Sequence, residues 1–485
     1  MSKTVSTFDF HIQEAPMSNQ RPRKRRRFRI HPVIKFLFSI AAICLMLYLA
    51  GFAFRYCLGL FIADEDYLVQ LPGQPSPIAE VVPEKETVPA ESDAITVVGR
   101  ATVMTAGDLM THMPIVNSGK TSNGYDFSYI YQYIGPYVSA ADYAVVNLET
   151  TLAGSDKEYT GYPKFNAPDA IATGAAAGGF DMMTVANNHC YDYGTSGMLR
   201  TLEVVRDANL DTLGVNASAD ETKYVVKDLN GIKVGMINYT YGEIDADRNT
   251  PAINGLPTDN KAAGLINAFD YDNLDMFYAE MENHISAMKA AGAEAIVLII
   301  HWGEEFTVKP NSNQRAIAQK MCELGVDVIA GGHPHAVQPM ELLTSSDGSR
   351  QTLCLYSMGN LVSNQRSTNI SMTSGHSEDS VIFSFTFVKY SNGEVHLEST
   401  DLIPTWMLIR GKDNSRTYHI LPLDESVADW KSAYDLSGTQ LSEAQASLQR
   451  TKELVSSSLT AIRSTLDQQS SIRNQNFGIF TGGVG

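Results

Sequence analysis

Short apolar runs that end in polar residues recur along the middle of the chain. They lie at residues 101–106, 144–146, 182–186, 295–300 and 326–330. Each run is too short for a typical helix and is bounded by Gly, Asn or Asp, so the pattern predicts buried β-strands. Helical periodicity at residues 195–208 and 276–291 predicts connecting helices. Alternating strands and helices indicate an α/β fold.

Side chains that can bind metals follow these strands directly. They are Asp108, Glu149, Asn188, His301, His333 and His335. Because ligands in open α/β sheets collect at the carboxyl ends of strands, we expect the six side chains to converge. Oxygen and imidazole donors without thiolate suit a divalent metal, one or two ions of Mn, Fe, Zn or Mg. Gly107-Asp108 alone could be a plain turn, and Asn147-Leu148-Glu149 alone could begin a helix.

The most specific motif is Gly331-Gly332-His333-Pro334-His335. Two histidines separated by one residue, at the exit of a strand, can both face one pocket. The glycines allow the backbone to turn sharply beneath them. This arrangement is typical of a metal site.

Later patterns predict further packing elements. Alternating residues at 381–388 and 395–402 predict antiparallel strands that extend or cover the sheet. Apolar residues every seven positions, from Leu441 to Ile462, predict a long amphipathic helix. The helix either packs on its own domain or contacts a partner, and its many polar positions favour packing or a loose contact over a stable coiled coil.

The N-terminal region predicts a membrane anchor. Residues 1–35 carry nine Lys or Arg residues against Asp9 and Glu14, and residues 36–54 carry no charge. The uncharged stretch is long enough to cross a bilayer, and the basic tail before it predicts a cytoplasmic N-terminus and an extracellular C-terminal domain. A cleaved signal peptide is the alternative, but its apolar region is usually shorter and ends in an Ala-x-Ala pattern.

Composition completes the division of the chain. The expected parts are a basic cytoplasmic tail (1–35), a single-pass signal anchor in the cell membrane (36–62), a Pro- and Glu-rich extracellular linker (63–95), an α/β domain (96–410) and a C-terminal extension with the amphipathic helix (411–485). The net charge is −17 despite the basic tail, and such an acidic body argues against nucleic-acid binding. No spacing of the five cysteines suggests a disulfide framework or a cysteine zinc site.

Six sequence blocks resemble, in order, the signatures of the CapA family of poly-gamma-glutamate capsule biosynthesis proteins. The blocks are Gly107-Asp108, Asn147-Leu148-Glu149-Thr150, Asn187-Asn188-His189 with Asp192-Tyr193-Gly194, His301-Trp302-Gly303-Glu304-Glu305, Gly332-His333-Pro334-His335 with Gln338, and Tyr356-Ser357-Met358-Gly359-Asn360. The resemblance covers about residues 98–365. It implies a layered sheet domain with flanking helices, similar to calcineurin-like metallophosphoesterases.

The resemblance also implies roles for individual residues. Asp108 and His335 would bind a first metal, Glu149 would bridge, and a second metal would be bound by the remaining ligands, Asn188, His301 and His333. His189 and Asp192 are the catalytic candidates, with His189 as the general acid that protonates the leaving oxygen. The phosphoesterase pattern begins with Asp-x-His, whereas this chain has Asp108-Leu109-Met110, and His112 is a candidate substitute.

Two functions follow from the resemblance. The first is a metal-dependent hydrolase or transferase in the synthesis, export or anchoring of poly-gamma-glutamate or a related surface polymer. The second is a non-catalytic accessory subunit of a membrane polymer synthase. The expected partners are the lipid bilayer, an anionic cell-surface polymer and membrane-bound synthase subunits, and not nucleic acid.

Overall fold

The computed structural model describes residues 95–245, 250–412 and 415–479. The predicted tail and anchor, with the linker up to residue 94, lie outside the described residues. Within the described ranges, no helix combines the length and apolar character needed to cross a membrane. The predicted membrane anchor therefore stays a prediction.

The described chain forms strands and helices from residue 97 to residue 476. The strands are β1 (Val97–Leu109), β2 (Lys120–Thr121), β3 (Gly124–Tyr125), β4 (Tyr143–Leu148), β5 (Met182–Thr184), β6 (Asp211–Leu213), β7 (Tyr224–Leu229), β8 (Ile232–Tyr241), β9 (Glu243–Asp245), β10 (Thr250–Ile253), β11 (Leu256–Pro257), β12 (Ala268–Phe269), β13 (Ala295–His301), β14 (Val328–Gly332), β15 (Met340–Thr344), β16 (Gln351–Leu355), β17 (Asp379–Tyr390), β18 (Val395–Arg410) and β19 (Thr417–Pro422). The α-helices are α1 (Met113–Ser118), α2 (Gly135–Val138), α3 (Ala170–Ala177), α4 (Gly194–Asp207), α5 (Asn260–Ala263), α6 (Leu274–Ala290), α7 (Ser312–Leu324), α8 (Trp430–Ala433) and α9 (Gly438–Asn476).

The first large sheet joins early and late strands of the chain, in the order β19-β18-β17-β1-β4-β5-β6. Strands β1, β4, β5 and β6 run parallel. Strand β17 then pairs antiparallel with β1, and β18 pairs antiparallel with β17. The prediction of antiparallel strands at residues 381–388 and 395–402 is confirmed.

The second large sheet has the order β12-β8-β13-β14-β16-β15, with β7 beside β8. The five predicted strands therefore belong to two sheets and not to one. The first sheet contains residues 101–106, 144–146 and 182–186, and the second sheet contains residues 295–300 and 326–330. Strands of both sheets are covered on both faces, so their apolar runs look alike in sequence.

The sheets pack face to face, and helices cover both outer surfaces. Alternate residues of β1 show the arrangement, since Val103 lies in the core between the sheets while Met104 lies in the core beneath α3 and α4. In β13, Val297 likewise faces the first sheet and Leu298 faces α6 and α7. The result is a mixed α/β fold with an α/β/β/α order of layers.

The C-terminal helix α9 packs on this body. Its residues Val455, Ile462 and Leu466 are buried in the core shared by the two sheets. Arg450, earlier in the helix, forms two hydrogen bonds of 2.7 and 2.6 Å with the carboxylate of Asp379 in β17. Of the two alternatives for the amphipathic helix, packing on its own domain is therefore the one that the structure shows.

Candidate metal centre

The six predicted ligands meet where the carboxyl ends of both sheets adjoin. Asp108 lies at the carboxyl end of β1, His301 ends β13, and the others follow β4, β5 and β14 within a few residues. All six side chains are buried, the most exposed being His333 at 4%. The first sheet thus supplies Asp108, Glu149 and Asn188, and the second sheet supplies the three histidines.

The backbone at the two histidines that follow β14 allows the second sheet to approach the first sheet closely. His333 has φ 94° and His335 has φ 54°, a left-handed conformation that costs on the order of 1–3 kcal/mol for residues other than glycine. A Cβ atom at Gly332 would lie 2.8 Å from Asp108 Oδ1. Glycine at this position therefore lets the second sheet reach the carboxylate of the first.

Asp108 is held as a carboxylate by several donors. Asn147 Nδ2 donates to its Oδ1 at 2.8 Å, and the His333 backbone N–H donates to its Oδ2 at 3.2 Å. Burial acts to raise the pKa of Asp108, but the hydrogen bond with His335 and the charges of His301 and His335 lower it below its ordinary value. We did not predict Asn147 as a site residue, although it stands in the same Asn-Leu-Glu block as Glu149.

Glu149 is the shared member of two ligand groups. One group is Asp108, Glu149 and His335, the other is Glu149, His301 and His333, and in each group the ligand atoms lie within 4.8 Å of one another. Its Oε1 lies 3.6 Å from His301 Nε2 and 3.8 Å from His335 Nε2. Both of its carboxylate oxygens are buried without a hydrogen bond to any described residue. A buried carboxylate left in this way fits a cation ligand.

Asn188 completes the contacts around His301. Its Oδ1 lies 2.8 Å from His301 Nε2. An amide oxygen and an imidazole nitrogen at this distance can bind the same ion, because ligands about 2 Å from a metal lie roughly 3 Å apart. The structure therefore places Asn188 beside His301.

The two histidines after β14 differ in charge. Burial and the neighbouring histidines lower the pKa of His333 well below 6.5, so its ring is a neutral ligand at physiological pH. Burial also acts to lower the pKa of His335, but the carboxylates of Glu149 and Asp108 raise it to about 9. The carboxylates therefore favour positive charge at this position, which a divalent cation can supply.

Glu305 is a further candidate ligand that we did not assign to the metal site from the sequence, although it stands in the same block as His301. Its carboxylate forms a third group with His333 and His335 within 4.8 Å, and its Oε1 lies 4.0 Å from His335 Nε2. The side chain is 44% exposed. An exposed carboxylate beside buried ligands can contact either an ion or a substrate.

The position where phosphoesterases carry a histidine is filled by Met110, which is buried. The candidate substitute, His112, is not a member of any ligand group found in the described ranges. Its Nδ1 instead accepts a hydrogen bond from the Asn364 backbone at 3.4 Å, and burial lowers its pKa to about 4. His112 is therefore part of the wall of the site and does not replace the missing ligand.

His189 and Asp192 form a buried pair beside the ligands. His189 Nδ1 lies 2.8 Å from Asp192 Oδ2, which also accepts a hydrogen bond of 2.7 Å from the Phe165 backbone. The Phe165 ring packs edge-on against the imidazole at 4.6 Å. With Nδ1–H donating to Asp192, His189 Nε2 is free to hold or release a proton.

A cleft of about 350 Å³ opens next to the centre. Its wall includes Met110, His112, His189, Glu305, His335 and Gln365. Tyr162, 76% exposed, stands at the cleft as well. The candidate acid and two candidate ligands therefore face one substrate-sized space.

The fold and the centre together define a class, namely layered α/β proteins with a buried histidine and carboxylate centre that can hold divalent ions. Residues 102–365, more than half of the chain, match the family described as "Bacterial capsule synthesis protein PGA_cap". The chain belongs to this family, and the resemblance inferred from the six blocks is confirmed. All eight predicted site residues lie in the matched range.

Two characterised relatives carry related names. The chain is 28% identical to capsule biosynthesis protein CapA of Bacillus anthracis over 273 residues, which is 55% of this chain and 60% of that protein. It is 27% identical to PGA biosynthesis protein CapA of Bacillus subtilis (strain 168) over 284 residues, 56% of this chain and 65% of that protein. The match thus spans less than two thirds of either relative.

Among solved structures, the NAD nucleotidase NadN of Haemophilus influenzae aligns with a TM-score of 0.39 and 14% identity. The alignment covers 76% of this chain and 68% of that one. A similarity this low carries no information about function.

Proposed function

We propose that the protein uses a metal-dependent, hydrolase-type site in the synthesis, export or anchoring of poly-gamma-glutamate or a related surface polymer. The observation that carries the proposal is the buried Glu149 carboxylate, which lacks a hydrogen bond within the described chain and belongs to two histidine-containing groups. The names of the two CapA relatives support the biological setting.

The residues divide between holding ions and handling protons. Asp108 and His335 would hold one ion, Asn188, His301 and His333 the other, and Glu149 would contact both. Bound divalent ions supply Lewis acidity for the attack of water on a phosphate ester, an amide or an ester. His189, oriented by Asp192, would give a proton from Nε2 to the leaving group.

The proposal places this site outside the cell. The basic run of residues 21–29 followed by the uncharged residues 36–54 supports a single-pass anchor with a cytoplasmic N-terminus. Partners would then be the bilayer, an anionic surface polymer and membrane-bound synthase subunits. Because the body is acidic, a polyanionic chain would be attracted mainly where bound cations offset that charge.

Metal content of the full-length chain, purified in detergent, tests the proposal. Elemental analysis of the parent should find one or two ions per chain, and His333→Ala should lose most of that metal. His396→Ala is the matched control, because His396 lies on β18 beside Glu394 and Tyr390, away from the centre. A parent that takes up no Mn, Zn or Fe would overturn the metal-dependent mechanism.

The second candidate, a non-catalytic accessory subunit, is favoured by one observation. Met110 stands where the phosphoesterase pattern has a histidine, so one nitrogen ligand is missing from the described site. His189→Ala separates the two functions, because it should abolish hydrolysis while leaving metal bound. Normal surface polymer in cells that carry His189→Ala would support the accessory function.

A further inference from the structure

A network of side-chain amides lies beside the metal centre. Asn360 is buried, and its Nδ2 lies 3.0 Å from the Ser377 carbonyl oxygen, 3.4 Å from the His335 carbonyl oxygen and 2.8 Å from Gln365 Oε1. The network thus connects the backbone of a candidate ligand to a residue on the cleft wall. Asn360 and Gln365 lie at the end of the sequence range matched by the family.

The network determines which way each amide points. The Ser377 and His335 carbonyls can only accept hydrogen bonds, so the group of Asn360 that faces them must be its NH₂. The same NH₂ faces Gln365, and the Gln365 atom that it contacts must therefore be the oxygen. The Gln365 NH₂ group consequently points away from Asn360.

The orientation leaves the two side-chain N–H donors of Gln365 on the end of the amide away from Asn360. Gln365 is 8% exposed and lines the cleft with His335 and His189. The Nε2 atom of Gln365 makes no hydrogen bond to any residue that the structure describes. This atom is also not fully buried. The backbone is held as well, because the Gln365 N–H donates to Ser363 Oγ at 2.9 Å. A rigid, unpaired N–H₂ group beside a catalytic centre is arranged to bind an oxygen of a ligand.

We propose that Gln365 is a substrate-binding residue whose side-chain NH₂ donates to an oxygen of the substrate next to the metal centre, in an orientation set by Asn360. The inference rests on the proposed function, because it presumes that substrate enters this cleft. The oxygen belongs either to a carbonyl of an amide-linked polymer or to a phosphoryl group. Glu305, on the same wall, offers an acceptor that an amide N–H can use and a phosphate cannot.

The two oxygen types predict different losses when the donor is removed. A hydrogen bond to a neutral carbonyl contributes about 3- to 10-fold in affinity, whereas one to a charged oxygen contributes about 10- to 150-fold. Gln365→Met removes both donors at nearly constant size. Asn360 keeps its two backbone acceptors in this variant, so the wall of the cleft should stay in place.

Calorimetric binding to the metal-loaded, full-length chain tests the inference. The probes are inorganic phosphate and a short γ-linked glutamate oligomer, measured with the parent, Gln365→Met and Gln365→Glu. Gln365→Glu retains the oxygen that Asn360 contacts and replaces the donor with an acceptor. Gln469→Met is the control. Gln469 lies near the C-terminal end of α9, and among the described residues its side chain donates only to Gln351 of β16.

We expect both Gln365 variants to bind the true ligand class more weakly, with metal content equal to that of the parent and Gln469→Met unchanged. Weaker binding of the oligomer alone identifies a carbonyl, and weaker binding of phosphate alone identifies a phosphoryl oxygen. Parent-like binding by Gln365→Met, or binding of neither probe by the metal-loaded parent, would overturn the inference. Loss of metal from the Gln365 variants would also overturn it, while a parent without metal would refute the proposed function itself.

Discussion

Replacing Glu149 with glutamine should have opposite effects on the stability of the protein with and without metal. Glutamine is nearly the same size but uncharged, and the carboxylate it replaces is buried without a hydrogen bond among described residues. Leaving a buried polar group unpaired costs roughly 1–3 kcal/mol, and more for a charge. The Glu149 charge also attracts His335, whose pKa the neighbouring carboxylates raise to about 9 against the effect of burial, so the metal-free comparison is made above pH 9, where His335 is neutral. There we expect chelator-treated Glu149→Gln to unfold at a higher temperature than chelator-treated parent.

The effect of added metal should be the reverse. An ion present at 100 times its dissociation constant stabilises the parent by about 2.7 kcal/mol. If the loss of the shared ligand weakens binding about 100-fold, the same concentration stabilises the variant by only about 0.4 kcal/mol. For the described body between residues 95 and 479, these energies correspond to melting shifts of roughly 3 °C and 0.5 °C.

Differential scanning calorimetry of the chelator-treated and metal-loaded proteins measures both effects. Glu304→Gln is the control, because Glu304 is an exposed carboxylate on the loop after β13. It should shift with metal as the parent does. Equal metal-induced shifts in the parent and Glu149→Gln would refute the assignment of Glu149 as a shared ligand.

Three further predictions concern the pair beside the centre, the pH dependence of folding and the C-terminal helix. Asp192→Asn removes the carboxylate that orients His189. It should therefore lower the rate of hydrolysis of a chromogenic phosphate ester or of the polymer by roughly 10²- to 10⁴-fold, with metal content unchanged. Full turnover by this variant would contradict the role of Asp192. Burial raises the pKa of Asp327 to about 6, above its unfolded value of 3.8. The neutral carboxyl of Asp327 therefore contributes to the stability of the folded protein below pH 4. About 3 kcal/mol of that stability is lost as the pH rises through 6. Asp327→Asn should remove that loss, and urea unfolding of both proteins at pH 4 and pH 7 should show a parent-to-variant difference that changes with pH. Leu466→Ala should lower the free energy of urea unfolding by about 2–5 kcal/mol, because Leu466 is only 2% exposed. Ile472→Ala, on the same helix and 58% exposed, should change that free energy by about 0.5 kcal/mol or less. Equal effects of the two variants would refute the packing of α9.

The apolar pattern predicted most strands to within a few residues but misplaced their ends near the glycines. The run 326–330 was expected to end at Gly331, whereas β14 continues through Gly331 and Gly332, because they pair with Ile300 and His301 of β13. Likewise β1 continues through Gly107, where a side chain would meet the Gly359 carbonyl. Here glycine permits close approach of two backbones and does not mark a turn, a distinction that depends on tertiary neighbours.

The candidate ligands could be located from sequence because each follows an apolar strand, and their chemistry is visible in the residue type. The roles of the supporting residues could not be predicted, although Asn147, Glu305 and Asn360 stand in the six blocks. Asn147 matters through its hydrogen bond to Asp108, Glu305 through its distance to His335, and Gln365 through the orientation of Asn360. The first two contacts join residues far apart in sequence, the third joins residues five positions apart in a loop, and none leaves a periodic pattern.

The strand order of the first sheet has a consequence for the order in which the protein folds during synthesis. Every candidate ligand has been translated once residue 335 is made, but β1, which carries Asp108, still lacks the strand on one side. That strand is β17, residues 379–390, and it pairs with β1 over most of its length. A nascent chain released before residue 379 would therefore contain the complete ligand set on an open sheet edge, and we expect it to aggregate before it can form a native centre.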